Sequence, residues 1–204
     1  MNTKEKIIYE SLNLFSTKGF DSISVRDIAK AVGIKASSIY NHFKSKHEIF
    51  DTIIETYSEY VHNFFYYMNM NMDNNQDDII NSQIEWLSDE QFFKKSLTIF
   101  KLFLEDEYIV KFRKLLTIEQ FNNSKIATLY NKLFIDDILT FQTIIFKNLI
   151  NLNILIEKDP YTLALQFYSP VFLMFSKCEL PTDKEIIYLR NHISEFKDIY
   201  TMKG

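Results

Sequence analysis

The chain has 204 residues, 47% hydrophobic and 25% charged, with a formal net charge of −4. That is enough apolar material for a buried core, and it excludes a disordered tail. Three glycines and three prolines are too few for a turn-rich all-β fold, so long helices are expected instead.

A single cysteine, Cys178, excludes an internal disulfide and a multi-thiolate metal centre, which fits a reducing compartment. The charge is unevenly spread. Residues 1–50 hold eight Lys/Arg against five Asp/Glu, a balance of +3, which leaves −7 for the remaining 154. Such asymmetry suggests a basic binding head on an acidic body. The opening MNTKEKIIYESLNLF has charges inside its apolar run, unlike a secretory leader. Nowhere do about 18 apolar residues follow one another, so no membrane partner and a cytoplasmic location are expected.

Residues 3–18 are predicted as the first helix, with Ile7, Ile8, Ser11, Leu12 and Phe15 on one side and Thr3 as N-cap. Gly19 closes it, and Phe20 is expected to fold back onto Leu12 and Phe15. Ser24 opens the second helix, because Asp27 three residues on makes the reciprocal pairing of a capping box. Val25, Ile28, Ala29 and Val32 give its apolar stripe, and Gly33 supplies the left-handed residue that ends it. Ile34 plugs the turn, and residues 36–42 have the length of a two-turn helix ending in an exposed Tyr40, Asn41 and His42. A short helix, a glycine turn and a second short helix make a helix-turn-helix, whose second helix enters the DNA major groove. The shared core is expected from Ile8, Leu12, Phe15, Phe20, Val25, Ile28, Ala29, Val32, Ile34, Ile39 and Phe43.

The pattern Phe15-x3-Gly19-Phe20-x4-Val25-Arg26-Asp27-Ile28-Ala29-x3-Gly33-Ile34-x4-Ile39-Tyr40-x-His42-Phe43-x2-Lys46 closely resembles the TetR family of bacterial transcriptional regulators over residues 5–50. The resemblance implies a homodimer that binds a palindromic double-stranded DNA operator and releases it when a small-molecule effector occupies the C-terminal domain. It implies that Tyr40 and His42 approach the DNA backbone. It also implies that Lys46, opening the fourth helix, contacts a phosphate, with the positive helix end addressing the same anion. Ser24, Lys35, Ser37, Ser38 and Asn41 complete the expected DNA-binding face; Asn41 suits adenine and Lys35 guanine, without an assignment of either. Lys35, Ala36, Ser37 and Ile23 depart from the residues common in that family.

Residues 46–70 form a long helix with Ile49, Phe50, Ile53, Ile54, Tyr57, Val61, Phe64, Phe65 and Met68 in a sustained apolar repeat, spanning roughly 37 Å. A polar loop, MNMNMDNNQDD, follows. Helices are then expected over 79–88, 92–104, 108–117 and, as one long unit, 124–152. Asp159 caps the next, with Pro160 at its first position, and Pro170 should kink it. Thr182 and Glu185 offer a second capping box for a last helix ending at Tyr200. The expected fold is therefore all-α: a three-helix head over 1–46, joined by the fourth helix to a helical ligand-binding and dimerisation domain over 47–204.

Within that domain, Phe64, Phe65, Met68, Trp86, Phe100, Phe103 and Phe134 are the expected lining of a largely apolar ligand pocket. By the resemblance, Phe167, Val171, Phe175, Ile193 and Phe196 of the last two helices pack against their copies in a dimer. The four histidines lack the spacing of a metal pair, and no phosphate loop or nucleophile elbow occurs. No enzyme, metal or cofactor is expected. The competing expectation is a helical protein-interaction module without sequence-specific DNA binding.

Overall fold

A computed structural model describes residues 1–70, 90–177 and 180–202; the side chains of 64–70 and 90–95 lie outside that description. Ten α-helices are described: α1 Thr3–Lys18, α2 Val25–Val32, α3 Ala36–Ile39, α4 Lys46–Met70, α5 Glu90–Glu105, α6 Glu107–Glu119, α7 Ser124–Asn131, α8 Asp137–Asn151, α9 Pro160–Ser176 and α10 Asp183–Tyr200. The all-α expectation holds among the described residues. The expected helix over 79–88 and the ligand candidate Trp86 lie outside them, as do the expected loop beyond Met70 and the side chains of the candidates Phe64, Phe65 and Met68.

The chain divides into two compact units, residues 1–63 with 107–133, and residues 64–106 with 134–204. The first unit thus runs past the expected head of 1–46 to residue 63 and takes in α6 and α7.

In that unit α1 is capped by Asn2 rather than Thr3. The Glu5 N–H donates to Asn2 Oδ1 at 2.9 Å, and the Asn2 N–H donates to Glu5 Oε2 at 2.8 Å. The sequence places Glu5 three residues after Asn2, which makes Asn2 the partner that can close both bonds. Ile7, Leu12 and Phe15 are buried, while Ile8, Val25 and Ile34 of the expected core are half-buried and Ile7 and Ile23 join it. Phe20 does fold back. Its ring lies 5.5 Å from Phe15 and 4.8 Å from Phe50, edge-on to both, and each such buried ring contributes roughly 1.5–3 kcal/mol.

α6 runs along α1 and is tied to it at both ends. Tyr9 Oη donates to Glu107 Oε1 at 2.5 Å, and the Phe20 N–H donates to Glu119 Oε1 at 2.8 Å. Gly19 sits at φ +76°, and a Cβ there would stand 3.2 Å from Ile118 Cγ2. Both the dihedral and the close helix approach therefore call for glycine.

The second unit is built on aromatic packing. Phe103 lies 6.0 Å from Phe134 and 5.5 Å from Phe175, and Phe100 lies 5.4 Å from Phe167. Phe167, Phe146 and Phe196 meet within 4.9–5.6 Å. The expected continuous helix over 124–152 is interrupted by a π-helical turn, Lys132–Asp136. Such a turn loosens the regular backbone ladder. The Phe134 carbonyl within it accepts the Tyr168 hydroxyl at 2.8 Å, buried between α8 and α9.

α9 begins at Asp159 and Pro160 as expected and runs through Pro170 to Ser176. Thr182 and Glu185 form their capping box. An isolated antiparallel bridge, Leu155 to Thr201, ties the end of α10 to the connector before α9.

The expected dimer residues are corrected here. Phe167, Val171, Phe175, Ile193 and Phe196 are buried inside the chain itself. α9 is apolar around most of its circumference, and this row is the one that faces α5, α8 and α10. Its outward row is Leu165, Phe172 and Leu173, with Leu173 67% exposed. The described pocket candidates Phe100, Phe103 and Phe134 are likewise closed core, between 0% and 6% exposed.

The turn between α2 and α3 yields the first prediction. Gly33 has φ +81° and ψ 32°, and a Cβ there would meet nothing within 4 Å. Gly33→Ala should therefore cost about 1–2 kcal/mol through backbone strain alone. Equilibrium denaturation measures it.

Candidate nucleic-acid interface

The helix-turn-helix is assembled from local rules. Ser24 and Asp27 close their capping box, the Asp27 N–H donating to Ser24 Oγ at 3.2 Å and the Ser24 N–H to Asp27 Oδ2 at 2.9 Å. The Ser24 hydroxyl and N–H hold the Asp27 carboxyl below its ordinary range, so the cap stays charged at neutral pH. Gly33 ends α2 in the left-handed region. Its N–H and that of Ile34 both donate to the Ala29 carbonyl at 3.0 Å, satisfying the end of the helix.

α3 is shorter than its sequence suggests. Four residues, Ala36–Ile39, are α-helical, and Lys35 precedes them without a side-chain cap. The absence of an oxygen at position 35 leaves the first turn uncapped. Beyond Ile39 the chain continues as a tight turn, with the His42 N–H on the Ile39 carbonyl at 2.9 Å and the Phe43 N–H on it at 3.0 Å.

Two side chains root this segment, Ile39 at 1% and Phe43 at 2% exposed. The residues between and before them turn outward. Lys35, Ser37, Tyr40, Asn41 and His42 are exposed and Ser38 is half-buried, with Tyr40 presenting 57% of its surface. These expected DNA-binding residues thus share one solvent-facing patch. An exposed tyrosine beside an amide, an imidazole and a lysine presents donors for phosphate oxygens and base edges. Ser24 is exposed as well, with its hydroxyl committed to Asp27.

Lys46 behaves differently from the expectation. Its ammonium donates to the Phe20 carbonyl at 2.7 Å and to the Ile23 carbonyl at 2.8 Å, and sits 4.0 Å from the centre of the Phe20 ring. It is turned back into the head, where it holds the turn between α1 and α2. The start of α4 is stabilised separately: the Glu48 N–H donates to Ser45 Oγ at 3.1 Å, and the Glu48 carboxylate accepts the Lys44 N–H.

Sequence reasoning also missed Glu119. It lies 99 residues from Phe20 along the chain, and nothing local announces a carboxylate that completes a distant turn.

The Lys46 geometry makes a test. Lys46→Met keeps the packed stem and removes the cation, so it should cost about 1.5–3 kcal/mol of stability, the range for hydrogen bonds to a charged group. Amide exchange around residues 20–24 should speed up together with it. A charge that only contacted DNA would leave both unchanged.

Comparisons with known proteins place this geometry. Residues 7–53 match the family described as bacterial regulatory proteins, tetR family. The chain is 42% identical over 71 residues to the biofilm operon icaADBC HTH-type negative transcriptional regulator IcaR of Staphylococcus aureus strain Newman, covering 35% of this chain and 38% of that protein. The IcaR of Staphylococcus epidermidis strain ATCC 35984 is 41% identical over 61 residues, 30% of this chain and 33% of its own length. The chain thus spans 33–38% of the length of these relatives.

Among solved structures, the ketosteroid transcriptional regulator KstR2 of Mycobacterium tuberculosis is similar with a TM-score of 0.64 at 12% identity, covering 99% of this chain and 96% of that one. A transcriptional regulator of Aquifex aeolicus VF5 gives 0.62 at 17% identity, over 97% and 99% of the two chains. At such identities the likeness is one of fold.

Proposed function

We propose that the protein is a transcriptional repressor acting on a near-palindromic operator, since its head, residues 7–53, matches the tetR family of bacterial regulatory proteins. The observation that carries this reading is the outward patch of Lys35, Ser37, Ser38, Tyr40, Asn41 and His42, rooted by Ile39 and Phe43. In this reading Tyr40 and His42 address phosphates, and Asn41 and Lys35 meet base edges. Lys46 acts as a positioning residue, setting the turn on which the patch rests. That IcaR is a negative regulator supports repression over activation.

Binding to DNA around its own gene should weaken at least about tenfold between roughly 50 and 200 mM salt, as phosphate contacts release counterions. Asn41→Ala should relax preference at one operator position by about 1–3 kcal/mol while sparing bulk DNA affinity. Indifference to every DNA tested would instead favour a protein-interaction module.

The reading includes a homodimer, since two recognition segments must meet grooves roughly 34–36 Å apart. The outward row Leu165, Phe172 and Leu173 of α9, together with exposed Ile187 and Tyr188 of α10, is the surface proposed to join the copies. Light scattering should give twice the 24.4 kDa chain mass. Leu173→Glu should return it to the single-chain value without loss of helix content.

The reading extends to a small, largely apolar effector in the second unit, as the neighbour named a ketosteroid regulator suggests by analogy. Phe100, Phe103 and Phe134 would reach it only if their packed rings separate.

A further inference from the structure

Between α1, α4 and α6 the first unit contains an open cavity of about 460 Å³, within the range of small-molecule sites. Tyrosines make half of its lining, Tyr9 from α1, Tyr57 and Tyr60 from α4 and Tyr108 from α6, with Met1, Ile8 and Thr56 beside them and Glu5 completing it. Helical spacing explains the convergence, because Glu5 and Tyr9 are four residues apart and Tyr57 and Tyr60 three apart on their helices. The rings form one cluster around Tyr108. Tyr57 stacks on it at 5.8 Å, Tyr60 meets it edge-on at 5.7 Å and Tyr9 edge-on at 6.1 Å. Tyr60 and Tyr108 keep 40% and 37% of their surfaces accessible.

The chemistry of this wall favours positive charge. An aromatic face attracts a cation within about 6 Å of its centre, and quaternary ammonium groups are the ligands that aromatic cages suit best. The cluster already engages one cation in this way: the Lys111 ammonium lies 4.7 Å from the centre of the Tyr9 ring.

That lysine is paired with Glu107 and is not part of the wall, where Glu5 is the one charged side chain among the described residues. Bonds from Lys111 and Tyr9 hold the Glu107 carboxyl below its ordinary range, so it remains an anion behind the rings. Burial, with the neighbouring tyrosines and Glu107 adding to it, pushes the Tyr57 hydroxyl up to about 12. The Tyr57 ring therefore stays neutral and electron-rich at physiological pH. A small inorganic cation would lose its water here for little return, whereas an alkylated ammonium is weakly hydrated and presents methyl groups to the ring faces.

We propose that this cavity is a binding site for a small organic cation of the quaternary-ammonium class, held on the faces of Tyr60 and Tyr108 with the Glu5 carboxylate at its mouth. It is a different site from the effector site of the second unit and does not depend on that reading.

Calorimetric titration of the full chain with choline tests it, against the uncharged alcohol in which a tert-butyl group replaces the trimethylammonium. The expected result is saturable binding of one choline per chain, at least about tenfold tighter than the alcohol, because only the cation gains from the rings. Tyr108→Phe should keep that affinity, since the ring does the work, and Tyr108→Leu should lose about tenfold. Circular dichroism checks that each variant is folded. Should Tyr108→Leu fail to fold, Tyr60→Leu removes an exposed ring and carries the same expectation. Equal affinity for choline and the alcohol, no saturable choline binding, or choline binding unmoved by loss of either ring would overturn the proposal. Operator binding, measured on the same preparations, succeeds or fails independently.

Discussion

The turn from Gly19 to Ile23 is held by two opposite charges reaching it from different helices. Glu119 of α6 takes the Phe20 N–H, and Lys46 of α4 donates to the carbonyls of Phe20 and Ile23. A turn exposes backbone groups that no regular ladder satisfies, and each left unpaired in a half-buried place costs free energy. Here a carboxylate meets the donor and an ammonium meets the acceptors, so the polarity of each group is answered by its complement. The Phe20 ring beneath the ammonium, packed on Phe15 and Phe50, keeps the turn on the core. Ser24 follows immediately. The placing of α2, and hence of the exposed patch on and around α3, rests on this junction.

α6 gives the first unit its stiffness by a related logic. It shares a buried row with α1 and closes polar contacts at both ends, Tyr9 with Glu107 and Phe20 with Glu119. A helix-turn-helix of some fifty residues buries little surface by itself. A helix from more than fifty residues further along the chain supplies the rest of the core, through Ile109, Phe112, Leu115 and Leu116. The unit that presents the patch is therefore discontinuous in sequence.

What could be read from the sequence was what short-range physics decides. The capping pairs Ser24–Asp27 and Thr182–Glu185, the cap Asp159 and the left-handed Gly33 all follow from residues within a few positions of one another, and each is present. The inward bond of Lys46 spans 23 and 26 residues and that of Glu119 spans 99, so no local pattern could announce them. Periodicity identified α9 and α10 as apolar but could not choose among their faces. The family resemblance puts Phe167, Val171 and Phe175 in a seam between copies, whereas packing against α5, α8 and α10 turns that row inward. The π-turn had no signature either, since Leu133 to Ile135 continue an apolar run that suits an α-helix equally well.

That π-turn makes chain length a constraint alongside residue identity. A π-turn holds one residue more than the α-helix it replaces, so Lys132–Asp136 is where α7 and α8 absorb a surplus. Removing a single residue there would leave a plain α-helix, with the surplus gone and the residues after it still in register. The buried row Ile138, Gln142, Phe146 and Leu149 would keep its place, while the Phe134 carbonyl would return to the helix and release the Tyr168 hydroxyl. A one-residue deletion would thus cost the second unit a buried hydrogen bond and spare its core. The same segment is where a one-residue insertion into a straight helix leaves its mark, the extra length being stored in one wide turn.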